Sequence, residues 1–207
     1  MKKATCLVTA ILVLSAVVPA LFATQNPVAD KVLQALQTSF SAENSARARH
    51  LAFAIKADQE GYGEIASLFR AAAKAEGFHA RNFEEQITRC GGVPQVKLDT
   101  PIVKSTKENL EVAIQAETYE RDTMYPEFRK LAQDRYEMDA LRTINLAYNG
   151  EMSHVTVLTE AYTNLEAGRG AGTTYYVCAE CGPITKVAPN RACHSCYGPA
   201  EGFQRVS

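Results

Sequence analysis

Two short motifs, Glu76-Gly-Phe-His79 and Glu151-Met-Ser-His154, carry chemistry in this chain. A carboxylate and an imidazole three residues apart on a helix share one face and can hold one cation between them. Three more glutamates, Glu43, Glu117 and Glu120, lie on stripes of the same kind. One stripe runs Leu36, Ser39, Glu43, Ala46, His50, Phe53, Ala57, and a second Ile65, Phe69, Ala72, Glu76, His79, Phe83. The others run Leu110, Ala113, Glu117, Glu120, Met124 and Ile144, Ala147, Glu151, His154, Leu158. Each has the three-and-four spacing of a helix's inward face, yet each carries acid or imidazole at its middle.

Burial of those groups demands compensation. An unpaired buried carboxylate costs several kcal/mol, and five would exceed the roughly 5–15 kcal/mol that stabilises a domain. Neither Lys nor Arg lies on these stripes at that level, so bound cations are the natural solution. Glu43 and Glu76 are centred on a turn near Gln59-Glu60, and Glu117/Glu120 and Glu151 on one near Asp134-Arg135. Folding each hairpin about its turn brings all of them to one level with His79 and His154. One Glu from one helix, a pair from another and a Glu-x-x-His from each of two more is the di-iron or di-manganese arrangement of ferritin-like bundles, with one Glu extra. His50 lies two turns from Glu43 on the same face and is expected beside the site or in the core, not as a ligand.

Near the C-terminus, Cys178-Ala-Glu-Cys181 and Cys193-His-Ser-Cys196 form a pair of metal knuckles. Each C-x-x-C turn aims two thiolates at one tetrahedral ion. Iron and zinc both satisfy this spacing, and a pair of disulfides is the rival reading. His194 is surplus to a site filled by four thiolates, and Cys90, at a helix end, is read as a lone thiol.

The elements that position these residues are helical. Breaks at Glu60-Gly61-Tyr62-Gly63, from Cys90 to Pro101, and near Gln133-Asp134-Arg135 divide the chain into helices over about 28–59, 62–89, 103–132 and 135–167. Pro126 should kink the third. Gly168, Gly170 and Gly172 suggest a flexible linker before a Cys-, Pro- and Gly-rich module over 173–207. The expectation is an all-α fold, a four-helix bundle over 24–168 followed by a small four-cysteine module. The two halves of the bundle echo each other weakly, with a one-residue slip.

Near-equal charge, 22 basic and 23 acidic residues, gives no electrostatic case for nucleic acid. Lys2 and Lys3 followed by the uncharged stretch Ala4–Ala23 read as a signal peptide over 1–23, with an uncleaved membrane anchor as the rival. Export to the periplasm is therefore expected, and Cys6 leaves with the signal.

The chain resembles rubrerythrin over nearly everything after that leader. The resemblance rests on Ala42-Glu43-Asn44-Ser45-Ala46-Arg47, Glu60-Gly61-Tyr62-Gly63-Glu64-Ile65-Ala66, Glu76-Gly77-Phe78-His79-Ala80 and Glu117-Thr118-Tyr119-Glu120 with Met124-Tyr125-Pro126. Glu151-Met152-Ser153-His154 and the rubredoxin-like cysteine module complete it. It implies a di-iron peroxidase reducing hydrogen peroxide to water, fed by an unidentified redox donor protein through iron at the cysteines, and a homodimer in which one module sits beside the partner's bundle. It also implies that Glu43, Glu76, Glu117, Glu151 and His154 stay bound, with Glu76 and Glu151 bridging. Glu120 and His79 would exchange on one iron, and Tyr125 would donate a hydrogen bond. The chain departs from the family at Ala42, where Gly is usual, and at His50, where Tyr is common. It also lacks the usual Pro after Cys193, and its knuckles lie one residue closer together. A ferroxidase or iron-handling role and a non-enzymatic, zinc-holding role are the competing functions. The second metal module favours the peroxidase.

Overall fold

A computed structural model describes residues 27–207. The expected signal segment lies outside them. Helix α1 spans Pro27–Gln59 and α2 Gly63–Arg89. They form a hairpin closed at Gly61, whose φ of +78° belongs to glycine. A long crossover follows. The 27 residues of α2 cover about 40 Å at 1.5 Å each, so returning to the other end needs over a dozen extended residues. The crossover is fastened along α1 by residues four apart on its outer face. Gln37 accepts from Gln95 N at 3.0 Å, Ser41 from Lys97 N at 3.1 Å and Ser45 from Asp99 N at 3.1 Å.

At the far end Ser105 and Glu108 cap α3, which spans Thr106–Tyr119, in a reciprocal capping box. It therefore begins at Thr106, three residues later than the pattern suggested. The disturbance expected at Pro126 is a π-helical turn over Glu120–Met124, closed by Tyr125 N donating to Glu120 O. Pro126, with no N–H to offer, falls at the start of α4, Tyr125–Asp134, where none is required. The helix thus continues through its proline. The last long helix, α5, spans Met138–Thr163. It starts after Tyr136, held at φ +58°, three residues later than expected.

The cysteine module contains a three-stranded antiparallel sheet ordered β2–β1–β3, with β1 at Tyr175–Cys178, β2 at Ile184–Thr185 and β3 at Phe203–Val206. The glycine linker is pinned rather than flexible. Gly170 N donates to Gly61 O at 3.0 Å, and Arg169 donates to Tyr62 Oη at 2.6 Å. A Cβ at Gly63 would lie 2.2 Å from Gly170 O, so glycine there is what lets the strands of chain approach. The correction has a physical reason: a Gly-rich segment is flexible only while its backbone groups remain free, and these are bonded.

Two apolar clusters fill the bundle. Phe53, Ile65, Phe69, Leu110 and Leu158 belong to one, and Leu36, Phe83, Ile87, Tyr125 and Ile144 to the other. The buried acidic residues belong to neither cluster.

Candidate metal centre

Glu43, Glu76, His79, Glu117, Glu151 and His154 are fully buried, and Glu120 is 6% exposed. Their atoms resolve into two sets of four, Glu43/Glu76/His79/Glu151 and Glu76/Glu117/Glu151/His154. His79 Nδ1 lies 3.0 Å from Glu151 Oε1, 3.1 Å from Glu76 Oε2 and 3.5 Å from Glu43 Oε2. His154 Nδ1 lies 2.9 Å from Glu151 Oε2, 3.3 Å from Glu76 Oε1 and 3.4 Å from Glu117 Oε2. Glu76 and Glu151 thus give one oxygen to each set, the arrangement of bridging carboxylates. Edges near 3 Å fit a polyhedron with bonds of about 2.1 Å.

The electrostatics ask for cations. Glu43 Oε2, Glu76 Oε1, Glu120 Oε2 and Glu151 Oε1 are buried and accept no hydrogen bond. Burial pushes Glu43 up to about 7 against the pull of His79. Burial and then Glu43's charge hold Glu120 well above the carboxylate range, and burial and then Glu76 raise Glu151. For Glu76 burial is outweighed, by His154 first, and its carboxyl is well below the usual range. Such a spread marks carboxylates too crowded to ionise together. Metal ions of total charge four or more would remove the conflict, and the donor set of oxygens with two imidazoles suits iron or manganese.

In the module, Cys178 and Cys196 Sγ are 3.6 Å apart, Cys178 and Cys181 3.7 Å, and Cys181 and Cys193 3.6 Å. A disulfide is near 2.05 Å. Bonds of about 2.3 Å to one tetrahedral ion put sulfurs about 3.8 Å apart. All four thiols are unbridged and gather in one group, which removes the disulfide alternative. The hydrogen bond from Cys181 brings the Cys178 thiol down to about 5, while the same contact and burial push Cys181 far up. Burial lifts Cys196 to about 11, so thiolates crowd one another until a cation joins them.

The two sites touch. His79 Nε2 donates to Cys181 O at 3.2 Å, and His154 Nε2 donates to Gly182 O at 3.1 Å. A carbonyl only accepts, so these contacts put a proton on each Nε2 and leave Nδ1 of both rings facing the carboxylates, where a metal ion would displace any proton it carries. Around them Arg81 donates to Ala179 O at 2.7 Å, Asn82 to Glu180 O at 2.8 Å, and Ile184 N to Ser153 Oγ at 2.9 Å. The close fit depends on glycine: a Cβ on Gly150 would lie 2.5 Å, and one on Gly182 2.2 Å, from His79 Nε2. The module is thereby seated on its own chain's bundle.

A family model described as Rubrerythrin matches residues 34–162. The chain belongs to the rubrerythrin family. Nigerythrin of Nitratidesulfovibrio vulgaris is 29% identical over 172 residues, covering 83% of this chain and 84% of that one. The rubrerythrin of Porphyromonas gingivalis is also 29% identical, over 82% of this chain and 86% of its own. The solved structure of fully reduced, all-ferrous nigerythrin superposes with a TM-score of 0.77 at 28% identity, covering 84% and 86% of the two chains. A bacterioferritin of Desulfovibrio desulfuricans, at 22% identity and a TM-score of 0.64 over 68% and 83%, shares the fold. The bundle is thus a rubrerythrin-type di-iron carboxylate and histidine site, with the family's four-cysteine site beside it.

Ten of the eleven residues read from the sequence as ligands lie in these sets, and Glu120 is buried near them, within the influence of Glu43. Tyr125 donates from its hydroxyl to Glu43, and His50 to Glu117. The sequence reading passed over Gly150, Gly182, Ser153, Arg81 and Asn82. For Gly150 a signal existed, since an interior helical glycine costs about 1 kcal/mol and implies close packing. Nothing local marked the others, whose partners lie far away in the chain.

Proposed function

We propose that this chain is a peroxidase: hydrogen peroxide, two electrons and two protons give two waters at the di-iron centre. The seating of the module on the bundle carries the reading. Both imidazoles that face the carboxylates are held from behind by backbone carbonyls of the first cysteine knuckle, which offers a short path between the centres. Iron in both places would supply the chemistry, one electron at a time from the cysteine site and two together from the bridged pair.

The chain's own groups have distinct tasks in this proposal. Glu76 and Glu151 share their oxygens between the two positions. His79 and Glu120 are alternative ligands at the Glu43 position, since Glu120 is buried with a free Oε2 and Glu43 is the charge that weighs most on it. Tyr125 keeps its hydroxyl proton, because burial and the charge of Glu43 hold it far above the ordinary tyrosine range. It can therefore steady Glu43 without ionising. The relative nigerythrin has been solved in all-ferrous and mixed-valence states, in keeping with a centre that cycles.

We further propose that the protein is exported, that a redox donor protein serves the cysteine iron, and that two copies associate. Within a single chain the module sits on its own bundle, and in a pair of copies the same contacts could instead join one chain's module to the partner's bundle.

A Cys193→Ala variant tests the reaction. It should lose donor-driven turnover yet still be oxidised once by peroxide after chemical reduction. Undiminished iron oxidation in the variant, with no donor-driven peroxide reduction even in the parent protein, would establish a ferroxidase instead. Zinc in the native cysteine site would defeat the relay.

A further inference from the structure

The two halves of the bundle exchange hydrogen bonds across the metal centre. Glu43 on α1 and Glu117 on α3 each belong to one four-atom set and are not shared. Tyr125, on the half that carries Glu117, donates to Glu43. His50, on the half that carries Glu43, reaches Glu117 Oε1 from Nε2 at 2.9 Å. His50 follows Glu43 by seven positions and Tyr125 follows Glu117 by eight. The extra residue is taken up by the π-helical turn at Glu120–Met124, since an i→i+5 turn accommodates one residue more than an α turn. His50 and Tyr125 therefore occupy corresponding places.

We infer that His50 is a positioning residue for Glu117, and that it stabilises selectively the metal position made by Glu117 and His154. A carboxylate can only accept, so Nε2 carries the proton. Nδ1 is buried without a partner, and the ring stacks on Phe69 at 5.8 Å between centroids. His50 is thus no ligand: Nε2 gives its one proton to Glu117 Oε1 at 2.9 Å, and Glu76 Oε1 stands farther off at 3.6 Å, beyond hydrogen-bond reach. The other oxygen of Glu117, Oε2, is left facing His154 Nδ1 at 3.4 Å. This position also lacks a reserve. Ala46, buried three residues after Glu43, stands where the other half has Glu120. With no fourth carboxylate to compensate, orientation of Glu117 falls to His50. The inference concerns metal binding and holds whatever reaction the centre performs.

Anaerobic titration of the apoprotein with ferrous ion, following stoichiometry and affinity, tests it. His50→Leu should bind one ion as the parent does and the other about 10–100-fold more weakly, the usual effect of losing a group that orients a ligand. His50→Gln, which keeps an N–H near the place of Nε2, should bind both ions nearly as the parent does. In a His154→Ala background His50→Leu should add little, whereas in a His79→Ala background it should weaken the remaining ion. Parent-like binding by His50→Leu, equal weakening at both positions, or the reverse background dependence would overturn the inference. Should His50→Leu fail to fold, His50→Asn replaces it, since its amide lies near Nδ1 and misses Glu117. Equal binding by His50→Asn and His50→Gln would then overturn it.

Discussion

His79 Nε2 donates to the carbonyl oxygen of Cys181 at 3.2 Å, across 102 positions of chain. One imidazole ring thereby joins the cysteine cluster to the carboxylate cluster, with Nδ1 on the side of the metal pair.

If that contact is made within one chain, two defective chains cannot repair each other. We expect a mixture of Cys193→Ala protein, with an intact bundle, and Glu76→Ala protein, with an intact module, to show no donor-driven turnover above the sum of its parts. Recovery approaching a quarter of the parent's activity on mixing and refolding together would mean that modules serve the neighbouring copy's bundle, since half the pairs would be mixed and each would hold one intact combination of two.

Glu76 gives an oxygen to each four-atom set, whereas Glu117 contributes to one. Glu76→Ala should therefore lose both bundle ions, and Glu117→Ala should retain close to one per chain. Metal analysis after gel filtration reads this directly. Full metal retention by Glu76→Ala would contradict the bridging role.

Without metal, the bundle should become less stable as pH rises. Burial, only partly offset by His79, lifts Glu43 to about 7 from an ordinary 4.5, and burial followed by Glu43 and by Glu76 raises Glu120 and Glu151. In that window the folded state binds more protons than the unfolded one, so stability falls with pH. His79 and His154, raised by neighbouring carboxylates against burial, act in the same direction above their ordinary 6.5. Glu76 and Glu117 are lowered and lose their contribution only in acid, below about pH 4.5. The melting temperature of the apoprotein should therefore drop by several degrees between pH 5.5 and 8, at about 2–4 °C per kcal/mol for a chain of this size. The metal-loaded protein should be much flatter. A melting temperature of the apoprotein that rises over this range would show that these carboxylates are not held in the crowded arrangement described.

Export should leave a mature N-terminus near Leu21 or Thr24 in protein recovered outside the cytoplasm. N-terminal sequencing from the native host decides this. Intact Met1 on a membrane-bound product would identify the leader as an anchor.

The ligands and the four main helical segments were legible in the sequence because burial is periodic along a helix. Glu43, Glu76, Glu117, Glu120 and Glu151 stand out on apolar stripes where carboxylates are costly, and Cys178, Cys181, Cys193 and Cys196 fall in two pairs with the two-residue gaps that metal knuckles use. Those are local facts, carried by spacing alone. What only the tertiary structure decided depends on contacts distant in the chain. The partner of His50, 67 positions away, follows from how α1 meets α3, and its correspondence with Tyr125 depends on a single residue absorbed in a π turn. The assignment of one oxygen of Glu76 and of Glu151 to each metal set is fixed by helix packing, which spacing along one helix does not encode. The linker read as flexible from its glycines because composition reports the freedom of an isolated chain. Gly63, Gly150 and Gly182 instead allow a close fit, and it is this fit that binds the cysteine module to its own bundle.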